Sequence, residues 1–121
     1  MTYDEELSDA QRDALQQALL ALRSELTHDE TQAKQRTKTV ELDQAAVGRI
    51  SRIDAIQQQK MAQAELRRIE LRLRQVALAL KGIEEDVYGD CRRCGEFIGL
   101  RRLTARPESP FCVPCATKLG A

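Results

Sequence analysis

All four cysteines of this 121-residue chain lie between positions 91 and 115, as two Cys-x-x-Cys pairs. Two residues between ligands let one tight turn aim both sulfurs at a single metal ion, and the seventeen residues between the pairs return the chain to complete a tetrahedron. Four protein ligands leave no open position for water, so such a metal is structural and not catalytic. The spacing therefore predicts one structural Zn2+ ion held by Cys91, Cys94, Cys112 and Cys115.

Thiol redox chemistry is the alternative use of these cysteines. A catalytic Cys-x-x-Cys normally needs one pair and a βαβ context, which this sequence does not indicate. A redox sensor, in which oxidation of the thiols releases the metal, stays open as a hypothesis. Zinc is favoured over iron by the paired knuckles and by a reducing compartment.

The expected compartment is the cytoplasm. The first residues, MTYDEELSD, are acidic, unlike a basic and apolar signal peptide. No run of about 18 apolar residues occurs, so no membrane span is expected. In a reducing compartment, paired cysteines bind metal or do redox work more often than they form structural disulfides.

Residues 4–87 are rich in Ala, Leu, Gln, Glu, Arg and Lys, which favour helices. The first helix is expected to begin near Thr2 or Asp4, because acidic residues suit a helix N-terminus. Apolar residues then recur at alternating steps of four and three, at Leu15, Leu19, Leu22 and Leu26. Residues 27–39 lack this stripe, and the pattern leaves open whether they form a solvated helix or a loop.

A second long helix is predicted from about Arg49. Its apolar residues form a heptad seam at Leu66, Ile69, Leu73, Val76, Leu80, Ile83 and Val87. Leu71 and Leu78 lie roughly opposite this seam, which predicts that the helix buries two faces near its C-terminal end.

The two helical segments balance around a midpoint. If Leu7 pairs with Val87 in an antiparallel arrangement, the chain reverses near residue 47, where Gly48 suits a tight turn. The predicted fold class is mainly α: a long antiparallel helical hairpin (coiled coil) projecting from a small globular base with a four-cysteine zinc finger. The expected parts are the N-terminal helix and first arm base, the coiled-coil arm and tip, the second helix base and the zinc-finger module, at residues 1–30, 31–60, 61–87 and 88–121.

Charge and composition narrow the functional classes. The chain has 19 basic and 19 acidic residues, whereas a protein that coats nucleic acid usually shows a basic excess. The single histidine, His28, has no evident catalytic partner, and no glycine-rich phosphate loop occurs. We therefore expect no enzymatic activity.

The loop between the cysteine pairs contributes apolar and basic side chains. Its apolar residues are expected to form a small core around the knuckles: Phe97, Ile98, Leu100 and Leu103. Arg101, Arg102 and Arg106 are expected to be exposed, where they either aid solubility or bind an anion.

A zinc ribbon that binds nucleic acid is a second functional hypothesis. It would use the arginines in and between the knuckles, namely Arg92, Arg93, Arg101, Arg102 and Arg106. Its affinity should fall steeply with salt. Neutral net charge and the lack of stacking aromatics count against it.

The C-terminal third resembles a known family signature. The matching text runs Tyr88-Gly89-Asp90-Cys91-x-x-Cys94-Gly95, then Ile98-Gly99-x-Arg101-Arg102-Leu103-x-Ala105-Arg106-Pro107, then Cys112-x-x-Cys115. Over roughly residues 84–116 this is similar to the zinc finger of the DksA/TraR family. The resemblance implies a globular base and a projecting coiled coil. It also implies a monomer that binds bacterial RNA polymerase and has no direct sequence-specific contact with DNA.

Members of that family insert the coiled-coil tip into the polymerase secondary channel and change the lifetime of promoter complexes, often together with ppGpp. Their best-studied members carry Asp-x-x-Asp-x-Ala at the tip. In this chain Asp43 and Ala45 fit the second acid and the alanine, while Val40 replaces the first acid. Asp54 and Ala55 are the second candidate pair, because an ungapped count back from the cysteines puts the tip near residues 48–53.

The resemblance also bears on ppGpp. Of the family's basic alarmone contacts, one falls on Arg106, but two expected lysines fall on Gln75 and Ala116. The neighbouring Arg74 and Lys118 stand one residue away, which on a helix points a side chain about 100° off. Arg74 and Arg106, with Arg101 and Arg102, remain the candidate alarmone or polymerase contacts. The expected alarmone dependence is weak or absent.

Overall fold

The computed structural model describes the backbone of residues 7–46 and 49–120, and the side chains of residues 7–40 and 52–120. Four helices follow one another along the chain: α1 (Asp9–Ala46), α2 (Arg49–Glu84), α3 (Leu100–Ala105) and α4 (Val113–Leu119). Between α2 and α3, Asp90 and Phe97 form an isolated antiparallel bridge. The mainly α class is confirmed. Within the described ranges, no helix is long and apolar enough to cross a membrane.

Helix α1 begins later than the acidic residues suggested. Leu7 and Ser8 are not helical and α1 begins at Asp9, while the predicted start near Thr2 or Asp4 lies outside the described residues. Ser8 Oγ accepts a hydrogen bond from the Gln11 N–H, and Gln11 Oε1 accepts one from the Ser8 N–H. This reciprocal capping box satisfies two donors at the helix end.

The polar stretch 27–39 is helical throughout, as part of α1. Three threonine hydroxyls in this part of the helix donate to the carbonyl four residues earlier, at Thr31, Thr37 and Thr39. Ala33 is buried despite its polar neighbours. The open choice between helix and loop is therefore settled in favour of helix.

The chain divides into two compact units. One runs to Arg23 and resumes at Arg74, and the other comprises Ser24–Leu73. Within the second unit, α1 and α2 are antiparallel, since Arg36 Nη2 lies 2.8 Å from Glu65 Oε1 and Asp29 and Arg72 line the same surface groove farther from the connection.

Helix α1 ends at Ala46 and α2 begins at Arg49, as predicted for the second helix. The predicted reversal at residue 47 and Gly48 lies outside the described residues.

Helix α2 buries one face rather than two. Val76 of the predicted seam is fully buried, and Leu66, Ile69, Leu73, Leu80 and Ile83 are half-buried. Leu71 and Leu78 are 48% and 45% exposed, so the predicted second buried face is wrong. A hairpin partner covers only one side of a helix, and these leucines lie on the other side.

The last predicted seam residue, Val87, is also misplaced. Helix α2 ends at Glu84, and Val87 is 49% exposed. Asp86 adopts a left-handed backbone conformation with φ of 60°. The Val87 and Tyr88 N–H groups both donate to the Gly82 carbonyl, which closes the helix end.

A small core lies in the unit that contains the cysteines. Leu7, Leu15 and Leu103 are its buried members, and Tyr88, Phe97 and Ile98 pack against them. Leu100, which was expected to join this core, is 38% exposed at the start of α3.

We expect Leu19→Ala to destabilise the chain by about 2–5 kcal/mol, because the side chain is 0% exposed and its truncation leaves a cavity. Leu78→Ala is the matched control, since it removes the same atoms from an exposed site and should change stability by less than about 1 kcal/mol. Urea unfolding of the two variants measures the difference. Equal losses would contradict the assignment of one buried face per helix.

Candidate metal centre

The four cysteine sulfurs converge on one point. Their Sγ atoms all lie within 4.8 Å of one another. Sulfurs at the corners of a tetrahedron around zinc, with Zn–S bonds of about 2.3 Å, are about 3.8 Å apart. The Cys94 and Cys112 Sγ atoms are 3.7 Å apart, which matches this spacing, so the donor set suits a zinc ion. Cys91, Cys112 and Cys115 are buried, and Cys94 is exposed.

Backbone hydrogen bonds shape the first knuckle. The Cys91 N–H donates to the Glu96 carbonyl at 2.8 Å, and the Gly95 N–H donates to the Cys91 carbonyl at 2.9 Å. Gly95 has φ of 79°, a conformation that a side chain would strain. The Arg92 N–H donates to the Pro110 carbonyl, which ties this knuckle to the segment that enters the second pair.

Helix α4 builds the second knuckle. Cys112 is its N-cap residue and Cys115 lies in its first turn. Pro114 suits this position, because the first turn of a helix needs no N–H from it. The Ala116 N–H donates to the Cys112 carbonyl at 2.9 Å. One helical turn thus holds both sulfurs on the same side.

The surroundings of the cysteines shift the pKa values of Cys91 and Cys94 in opposite directions. Burial raises the pKa of the Cys91 thiol, but backbone N–H groups of Cys94, Cys112 and Arg93 outweigh it and lower that pKa to about 6. The Glu96 N–H lowers the pKa of Cys94, but desolvation and the neighbouring thiols raise it to about 12. Four adjacent thiols do not all ionise by themselves, so zinc binding must release protons.

Arg102 holds the loop between the knuckles. It was expected to be exposed, but it is half-buried, and its Nε donates to Ser109 Oγ at 3.0 Å and to the Phe111 carbonyl at 3.1 Å. This guanidinium therefore fixes the residues that lead into Cys112. Sequence reasoning missed Ser109, for which only its place before the second pair gave any signal.

Tyr88 fastens the other end of the same loop. Its hydroxyl donates to the Pro107 carbonyl at 2.9 Å. Burial, with the Glu108 carboxylate nearby, raises the pKa of Tyr88 above its usual range, so the hydroxyl stays a donor at neutral pH. The sequence motif contained Tyr88, but the motif did not reveal this role.

The candidate alarmone contacts differ in their exposure and in their partners. Arg74 on α2, Arg101 and Arg106 are exposed. Arg106 Nε lies 3.9 Å from Oε2 of the buried Glu108, a carboxylate that sequence reasoning did not single out. Arg102 is held by its loop.

The two pairs of tip candidates lie on different helices. Asp43 and Ala45 belong to the end of α1, and their side chains lie outside the described residues. Asp54 is exposed on α2, whereas Ala55 is buried. Burial of Ala55 separates it from Asp54 in exposure, and the role of both at the tip stays a prediction.

Comparison with known proteins covers the zinc motif and both long helices. Residues 87–119 match the prokaryotic dksA/traR C4-type zinc finger. The RNA polymerase-binding transcription factor DksA of Salmonella typhimurium is 33% identical over 117 residues, which cover 94% of this chain and 74% of that protein. The DksA of Escherichia coli K12 is 40% identical over 45 residues, 37% of this chain and 30% of that protein. The solved structure of transcription factor DksA2 from Pseudomonas aeruginosa superposes with a TM-score of 0.74 at 26% identity, over 93% of this chain and 85% of that one.

Proposed function

The chain belongs to the DksA/TraR family of zinc-finger transcription factors, and from this premise we propose that it binds bacterial RNA polymerase and regulates transcription without reading DNA sequence. The observation that supports this most is the extent of similarity to a polymerase-binding relative, which spans 94% of the chain and so includes both long helices as well as the zinc motif. Such a partner implies a cytoplasmic location.

The proposed mode of action uses the connected ends of α1 and α2. These helices have 38 and 36 residues, which at 1.5 Å per residue makes each about 55 Å long. We propose that their connected ends enter the secondary channel of polymerase and alter the stability of promoter complexes. A zinc ion held by the four cysteines takes no part in catalysis, because protein sulfurs occupy all four of its ligand positions.

The nucleic-acid hypothesis loses support from the arginine contacts. Arg92 Nη2 donates to the Leu78 carbonyl, Arg93 Nη1 donates to Cys115 Sγ, and Arg102 donates within its loop. Three of its five arginines thus make internal hydrogen bonds, which a phosphate would have to displace. The redox-sensor hypothesis stays a prediction.

Capture of purified core RNA polymerase by the immobilised, zinc-loaded chain tests the proposal. We expect saturable binding that is weakened when residues 40–55 are replaced by a short Gly-Ser turn. A double-stranded promoter fragment without polymerase is the control and should not be retained. Retention of DNA alone, or no capture of polymerase, would overturn the proposal.

We further expect weak or absent dependence on ppGpp. Gln75 and Ala116 stand where the family carries lysines, and Arg74, which is exposed, is the residue before Gln75 on α2. In vitro transcription from a ribosomal RNA promoter, with and without ppGpp, should show less than about a twofold difference, which corresponds to about 0.4 kcal/mol. Strong synergy would show that Arg74, Arg106 or other cations replace the missing lysines.

A further inference from the structure

Each of the four cysteine sulfurs faces an N–H donor, but the donors differ in kind. Backbone N–H groups serve Cys91, Cys94 and Cys112. The sulfur of Cys115 instead accepts from a side chain, the Arg93 guanidinium, with Nη1 3.7 Å from Sγ. Backbone donors persist whatever the side chain, whereas the Arg93 donor to Cys115 can be removed by a substitution.

The Arg93 contact also joins the two halves of the metal centre. Arg93 lies between the ligands of the first knuckle, whereas Cys115 lies in the first turn of α4, 22 residues farther along the chain. Cys115 is buried and Arg93 is exposed, so the guanidinium reaches the centre from the solvent side.

Charge gives this contact its importance. A zinc ion with four thiolates carries a net charge of −2. Groups that hydrogen-bond to the metal ligands commonly govern the affinity of such a site for its metal. A guanidinium is always protonated and therefore offsets one of these negative charges at any physiological pH.

We propose that Arg93 acts as an outer partner of the zinc centre, holding Cys115 in place and setting how tightly the chain retains its metal. The proposal does not depend on polymerase binding, because it concerns only the affinity of the four sulfurs for zinc.

Arg92 provides an internal comparison. It has the same charge and lies in the same knuckle, but its Nη2 donates to the Leu78 carbonyl at 3.4 Å and not to a cysteine. Arg92→Gln and Arg93→Gln therefore remove equal charge from adjacent positions, and only the second removes the hydrogen bond to sulfur.

The test is competition for zinc between the full-length, zinc-loaded chain and a chromogenic chelator of known affinity. We expect Arg93→Gln to lower zinc affinity on the order of tenfold, the lower end of what such partners contribute. Arg92→Gln should stay within about twofold of the parent chain, since it leaves the sulfur contact intact. Arg93→Lys should fall between them, because the ammonium keeps the charge but lacks the planar fork.

Circular dichroism of each zinc-loaded variant checks that the helices are intact before the competition. Equal losses of zinc affinity in Arg92→Gln and Arg93→Gln would assign the effect to general charge and overturn the proposal. Unchanged zinc affinity in both variants would also overturn it. If Arg93→Gln does not fold with zinc, Arg93→Lys is compared with Arg92→Lys instead. A larger loss of zinc affinity in Arg93→Lys supports the proposal, and equal losses or no loss overturn it.

Discussion

Removal of zinc is expected to unfold residues 88–119 while α1 and α2 remain largely helical. The reason is the small amount of structure that this segment builds without the metal. Helices α3 and α4 have only 6 and 7 residues, and isolated helices shorter than about 12–15 residues are marginal in water. Among its residues only a few join a core, chiefly Leu103 with Phe97 and Ile98.

The metal supplies what this segment lacks. Binding of zinc to structural sites in small zinc fingers is worth roughly 10–16 kcal/mol at neutral pH, and that energy is also folding energy. Tyr88 contributes one hydrogen bond to this loop and Arg102 contributes two, each worth about 1 kcal/mol, and so they do not replace it.

Hydrogen exchange read by mass spectrometry, with and without a chelator, measures this effect region by region. Peptides from residues 88–119 should lose protection, whereas peptides from residues 24–73 should keep most of theirs. Added Zn2+ should restore protection and added Mg2+ should not, because thiolates do not select a hard cation. If residues 88–119 keep their protection from hydrogen exchange in the metal-free chain, zinc is not what holds this segment folded.

The metal centre was predictable from sequence because its geometry depends mainly on covalent spacing. Two residues between cysteines and a short loop leave few ways to place the four sulfurs apart. The donors around those sulfurs were not predictable, since Arg93 and Cys115 meet only after both knuckles have folded. The same holds for Arg102, whose partners lie on the far side of its loop.

The long helices were predictable in number and direction, but less so at their ends. Helix-forming composition does not show where a helix stops, and the start of α1 depends on the capping pair Ser8 and Gln11. Hydrophobic spacing likewise gives the period of a face but not whether anything covers it. Leu71 and Leu78 show this, because their heptad spacing is regular and their side chains are exposed.

Asp43→Asn is expected to abolish most of the regulatory effect while leaving polymerase binding intact. Under the proposed function, the acid that acts at the polymerase active site lies closest to the connection between the helices. Asp43 stands three residues before the end of α1, whereas Asp54 stands five residues after the start of α2. Ala55 is buried, so the Asp54–Ala55 pair does not present an exposed alanine beside its acid.

Asp54→Asn is the matched control, because it removes the same charge from an exposed site on the opposite helix. The half-life of promoter complexes on a ribosomal RNA promoter is the measurement. Loss of one charged hydrogen bond, worth about 1.5 kcal/mol, should weaken the regulatory effect of the Asp43→Asn variant roughly tenfold. Its capture of core polymerase should stay unchanged. A large effect of Asp54→Asn with none of Asp43→Asn would move the acting acid to α2. If neither variant changed the half-life, action through a tip carboxylate would be wrong, and the regulatory contact would have to lie elsewhere on the chain.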